Sequence, residues 1–140
     1  RTQRAELLSE AVKSYEAALP VLSSQDAIKA KECKEALAGA LTELAELRPR
    51  SAKANLRQAK ALFQEVIEFA RRNTPGMRYA GALENFAEVF AITAKRHPED
   101  ARAARDEARA LLREAESIYI EVDDAERVRA VQSKLIGIAD

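Results

Sequence analysis

Leu83, Phe86 and Phe90 recur at spacings of three and four, which places them on one face of a helix. Ala87 lies on the flank of that face and is small enough to let a second helix approach closely. The pattern recurs 49 residues earlier as Leu37, Ala38 and Leu41, and 49 residues later at Leu135. A second pattern, alanine followed by a bulky residue four positions on and a small one three further, occurs three times. It reads Ala11, Tyr15, Ala18, then Ala59, Phe63, Val66, then Ala108, Leu112, Ala115, at offsets of 48 and 49. Two kinds of helix therefore alternate along the chain, and self-similarity at a fixed period is the mark of an array.

The breaks between apolar stripes predict six helices. The first starts near Thr2 and turns Leu7, Leu8, Ala11, Tyr15, Ala18 and Leu19 inward. Pro20 should kink or end it, because proline removes a backbone donor and crowds the carbonyl of Glu16. Ser24 is the expected N-cap of helix two, residues 25–47, which buries Ile28, Ala30 or Cys33, Leu37, Leu41 and Leu44. Pro49 interrupts, and Ser51 caps helix three, residues 52–72, with Leu56, Ala59, Phe63, Val66, Ile67 and Ala70 inward. Asn73-Thr74-Pro75-Gly76 is the clearest punctuation, with Thr74 as cap and Pro75 opening helix four, residues 75–96. His97-Pro98-Glu99-Asp100 repeats the device, with acids where the helix dipole favours them, before helix five runs to about residue 121. Asp123 and Glu126 read as the capping pair of helix six, which continues to Asp140. Helices this long with joints this short pair antiparallel with their neighbours.

Composition agrees with that reading and narrows the function classes. The chain has 140 residues, enough for one domain with a sizeable core, with 33% charged residues and only four glycines and four prolines. Twenty-three basic residues balance 23 acidic ones, so no net field recruits nucleic acid or an anionic membrane. No apolar run is long enough to span a bilayer, and the expected location is the cytoplasm. Cys33 is the only cysteine, which excludes an internal disulfide.

The two helix patterns together resemble the tetratricopeptide repeat. Its first helix reads bulky-x-x-Leu-Gly/Ala-x-x-Tyr, matched by Leu83, Phe86, Ala87 and Phe90; its second reads Ala-x3-Phe-x2-Ala, matched best by Ala59, Phe63 and Val66. The departure is length. Phe90 and Ala108 are 18 residues apart, about twice the separation in the family's unit of about 34 residues. Each hairpin is a stretched version. Such long repeats are similar to those that accompany CHAT-type peptidase domains in bacterial proteins, a likeness that rests on the period and on Tyr15-Glu16-Ala17-Ala18-Leu19. The resemblance implies an all-α superhelix of three stretched antiparallel hairpins over residues 1–140, a fragment of a longer array, whose concave face binds a protein or peptide segment.

Nothing in the sequence points to catalysis. A CHAT-type peptidase needs a Cys/His pair, but Cys33 aligns with Ala82 and Val131 in an apolar slot and His97 sits in a joint. One His and one Cys leave a metal shell incomplete, acidic pairs at helix starts are explained by capping, and the scattered glycines form no phosphate loop. The expectation is no enzyme, no cofactor and no metal. Lys53, Arg57 and Lys60 form one basic line and Arg102, Arg105, Arg109 and Arg113 another. Acids such as Asp106, Glu107 and Glu114 thread them at salt-bridge spacings, and no aromatics are interleaved for base stacking.

In the family, the first helix of each hairpin lines the groove. By matching, the groove positions are Glu35, Gly39 and Thr42 in one hairpin and Glu84, Asn85 and Glu88 in the next. Asn85 falls where some relatives use asparagine to hold a peptide backbone, although Ala36 and Lys134 replace it in the neighbouring repeats. Reversal of Glu84 and Glu88 to lysine should then change partner binding and leave melting nearly unchanged. The alternative to a scaffold is a regulatory or sensor domain that holds a small ligand, or a dimerisation bundle for attached domains. The last helix carries Val128, Val131, Leu135, Ile136 and Ile138, too apolar for a capping helix, so a homodimer through exposed terminal helices is expected.

Overall fold

A computed structural model describes residues 2–138, and among them the fold is all-α. It comprises α1 (Thr2–Gln25), α2 (Ala27–Leu47), α3 (Ala52–Asn73), α4 (Met77–Arg96), α5 (Ala101–Glu121) and α6 (Ala125–Ile138), with 3-10 turns at Pro49–Ser51 and Pro98–Asp100. Positions 139 and 140, expected as the end of helix six, lie outside the described residues.

The 49-residue period is visible in the joints themselves. The α2–α3 and α4–α5 connections start at Arg48 (φ −125, ψ 90) and His97 (φ −130, ψ 82), 49 positions apart. Each donates its backbone N–H to a carbonyl four residues back, Leu44 and Thr93, at 2.8 Å. Each is followed by a 3-10 turn opened by proline, whose fixed φ suits a first turn and whose missing N–H costs nothing there.

Two compact units divide the chain, Arg1–Val66 and Ile67–Asp140, with the boundary inside α3. In the first unit α1 and α2 run antiparallel. Ala5 and Leu8 pack on Ala40 and Leu44, with Val12 and Leu47 at the edge, while Arg4 pairs with Glu43 at 2.6 Å. Lys34 and Glu65, 3.1 Å apart, link α2 to α3, and Gln58 donates to Glu16 of α1 at 3.3 Å. In the second unit α4 and α5 run antiparallel and α6 returns along α5. Gln132 donates to Glu116 at 3.1 Å, and Arg109 donates to the carbonyl of Ile138 at 3.4 Å.

Several local expectations are corrected. Pro20, expected to kink or end the first helix, does not end it: it lies inside α1 at an exposed position, where water can solvate the carbonyl that loses its partner. The cap of α2 is Asp26, whose Oδ1 accepts from the N–H groups of Ile28 and Lys29 at 3.1 Å. Ser24 instead donates its hydroxyl to the carbonyl of Val21 at 2.9 Å. Ser51 closes the 3-10 turn and accepts from the Asn55 amide at 3.3 Å.

Thr74 and Pro75 do not open α4. The Thr74 N–H still bonds to Ala70 and prolongs the end of α3, so Gly76 becomes the first acceptor of α4, bonded by Ala80 N–H at 2.9 Å. Gly76 has φ 85 and ψ −135, a region in which a side chain is strained. At the α5–α6 joint Asp123 takes φ 59, and the N–H groups of Asp123 and Asp124 return to the carbonyls of Ile120 and Tyr119. This is a Schellman closure of α5. Asp123 is thereby spent on the C-terminus of α5, and Asp124 caps α6 by accepting from Arg127 N–H at 3.1 Å. Leu7 and Ile28, both expected inside, are 63% and 53% exposed.

Candidate functional site

The second unit holds two hydrogen bonds related by the antiparallel crossing of α4 and α5. Tyr79, near the start of α4, donates its hydroxyl to Glu114 at 2.7 Å. Tyr119, near the end of α5, donates to Glu84 at 2.6 Å. Both tyrosines are buried, and a buried hydroxyl needs a partner. Burial, reinforced by the Glu84 carboxylate, pushes the Tyr119 hydroxyl up to about 12. Burial and then Glu114 push Tyr79 upward as well, against the Arg71 guanidinium that donates to its oxygen at 3.1 and 3.3 Å. Arg127 lies 5.8 Å from the centroid of the Tyr119 ring. Lys134 of α6 completes the assembly by pairing with the second oxygen of Glu84 at 2.7 Å, so one carboxylate ties together three helices.

Beside that ion pair lies a cleft of about 230 Å³ framed by α4, α5 and α6. Its floor is apolar and made of small residues, Ala87 and Ala91 with Leu112, and Gly137 and Ile138 close one side. Charge is arranged around it: Glu84, Glu88 and Lys95 follow each other along α4, and Lys134 faces them from α6. Such a site can hold a short apolar group while offering both a carboxylate and ammonium groups at its rim. A shallower recess of about 270 Å³ at the α5–α6 turn is framed by Ile120, Asp123, Asp124, Val128 and Arg129.

Of the six groove positions expected from the sequence, Glu84 and Glu88 come together in this cleft. Asn85 is exposed and is not among the residues lining it. In the first unit Glu35 is half-buried and pairs with Lys31 at 2.9 Å. Gly39 is exposed, and an added Cβ there would meet nothing within 4 Å. Thr42 is 5% exposed, with its hydroxyl donated to the Ala38 carbonyl at 2.7 Å, so it offers no surface to a partner. The sequence reading did not include Lys95, which could have been found, since it follows Glu88 at seven residues and shares its helix face. It named Leu112 only as a packing position and Lys134 only as the counterpart of Asn85; that both line this cleft follows from the packing of three helices.

Cys33 is buried and donates to the Tyr15 carbonyl at 3.5 Å. Its repeat counterparts Ala82 and Val131 are buried too. His97 terminates α4 through its backbone, with Nδ1 3.9 Å from Glu99. The basic line on α5 is interrupted, because Arg109 pairs with Asp106 at 2.9 Å and reaches the end of α6. Among the described residues no group of three His, Cys, Asp or Glu could hold a metal ion, and no helix is long and apolar enough to cross a membrane. Comparison with protein-family models, curated proteins and solved structures finds no match to the chain.

Proposed function

We propose that this chain is a non-catalytic, cytoplasmic scaffold of the tetratricopeptide-like kind that binds a protein or peptide segment in the cleft among α4, α5 and α6. The observation that carries the reading is the cleft's make-up: a floor of Ala87, Ala91 and Leu112 rimmed by Glu88, Lys95 and Lys134. Two helices of the same repeat type, α4 and α6, supply its walls, as in arrays whose concave side receives extended ligands. Its size favours this over a small-molecule sensor. At about 230 Å³ it lies below the roughly 300–1,000 Å³ of pockets that enclose a drug-sized ligand. It suits one side chain of a longer segment, with the flanking backbone and charges met at the rim. The balanced charge of the chain gives no support for a nucleic acid or an anionic membrane as the partner.

Selection from a displayed random-peptide library, followed by titration of the enriched peptides, tests the reading. Glu88→Lys and Lys95→Glu alter the rim and leave the floor in place. Each should weaken the enriched peptides by about fivefold or more, with the loss reduced at high salt. Absence of enrichment, or peptides indifferent to both changes, would remove the cleft as the binding site.

A further inference from the structure

The cleft among α4, α5 and α6 carries its charges in a fixed order along one helix. Glu84, Ala87, Glu88, Ala91 and Lys95 all line it from α4, at spacings of three and four that keep them on one face. Glu84 lies at one end and is held by Tyr119 at 2.6 Å and by Lys134 at 2.7 Å. An acid and a base that close present no net charge to a ligand. Glu88 and Lys95 are both exposed. They stand on either side of Ala91, with opposite signs, beside the floor that Ala87 and Leu112 complete.

The separation of those two charges is matched to an extended chain. Positions 88 and 95 are seven residues apart, which on an α-helix is a rise of about 10 Å. An extended segment advances about 3.3 Å per residue and turns alternate side chains to the same side. A residue seated on the floor therefore directs the residues two before and two after it toward the same helix face. Those flanks are about 13 Å apart, and the long side chains of lysine and glutamate take up the difference.

On the reading that this cleft receives a peptide segment, we infer that it selects an extended stretch in which an aliphatic residue stands between a basic and an acidic one, each two positions away. The aliphatic side chain covers the alanine floor, the basic residue meets Glu88, and the acidic residue meets Lys95. A flanking charge of the wrong sign is rejected more strongly than a neutral residue, because it meets repulsion as well as losing attraction. Both selecting charges belong to α4, so the pattern is set within one helix. It dictates the order of signs along α4 and not the direction of the bound chain.

End-capped peptides, in which no terminal charge takes part, test this by fluorescence anisotropy with the 140-residue chain. Each carries a central leucine flanked two positions away by arginine and glutamate in either order, by two arginines, by two glutamates, or by two glutamines. At low salt one mixed order should bind about tenfold or more tightly than either like-charged peptide, and about fivefold more tightly than the glutamine peptide. The differences should shrink in high salt. Glu88→Lys should move the preference to the two-glutamate peptide and Lys95→Glu to the two-arginine peptide, with helicity unchanged in both. A glutamine peptide that binds as well as the mixed ones, or variants that keep the parent's ranking, overturns the inference and leaves the cleft as a peptide site. Ala91→Trp fills the floor from a half-buried position and should abolish binding of every peptide. If it binds them as the parent does, or if the parent binds none at millimolar concentration, the cleft itself falls as the binding site and the selectivity with it.

Discussion

Glu84 shows how a residue's role depends on neighbours far away in sequence. As a surface carboxylate it would be a rim charge whose reversal leaves stability unchanged. In the fold it accepts from Tyr119 and pairs with Lys134, so its reversal would strand a buried hydroxyl beside an ammonium group. The rim of the cleft is better tested at Glu88 and Lys95. The hydroxyl itself supplies a pH signature. Tyr119 moves from an ordinary value of 10.0 to about 12 in the folded chain, so the fold favours the neutral phenol. The stability this provides is complete below pH 10 and is lost as pH rises through about 12. A shift of that size corresponds to roughly 3 kcal/mol. Urea unfolding across that range should show stability falling with pH, with Tyr79 contributing in the same direction. Tyr119→Phe should flatten the fall and cost about 2 kcal/mol at neutral pH through the lost charge-assisted hydrogen bond. A variant as pH-sensitive as the parent would place the effect elsewhere.

At the scale of elements, the helices are defined by their joints, and α3, α4 and α5 each bury at least one aromatic. Phe63 of α3 and Phe90 of α4 are both buried, and Phe90 stacks at a tilt on Phe86 with ring centroids 5.1 Å apart. Truncating either aromatic to alanine removes its packing and leaves a cavity, so each should cost about 3–5 kcal/mol in chemical unfolding. Losses near 1 kcal/mol at both would mean that these positions are not equivalent core sites. The α5–α6 joint gives the opposite kind of test. Asp123 holds a left-handed conformation, φ 59, within a Schellman closure, the position that glycine fills most comfortably. Asp123→Gly should therefore raise stability by up to about 1 kcal/mol, read as a higher melting temperature with unchanged helicity. If melting falls, the aspartate makes a contribution beyond its backbone shape.

At the scale of the molecule, each compact unit builds its core from the same two helix types. The first has α1, α2 and the first part of α3; the second has the rest of α3 with α4, α5 and α6. Repetition makes burial informative, because equivalent positions can be compared between helices of one type: Phe63 of α3 and Leu112 of α5 are buried, whereas Tyr15 of α1 is half-buried.

Much of the architecture was legible in the residues alone. Helical type, the period of 49 and the proline-opened joints follow from local physics: apolar spacing, the missing proline donor and the helix dipole all act within a turn or two. Caps were legible only to within one or two positions, since Ser24, Asp26, Thr74, Asp123 and Asp124 are all competent and the neighbouring helix end decides which is left over. Pro20 inside α1 and the exposure of Leu7 and Ile28 were not legible, because they depend on which side of a helix meets another helix. The same holds for the site. That Glu84 and Glu88 share a face is a matter of four-residue spacing. That Glu84 ties α4 to both α5 and α6 was decided by the packing of the three helices, which brings Lys134 within 2.7 Å of a carboxylate fifty positions earlier. Helix periodicity cannot specify that distance; only the packed axes do.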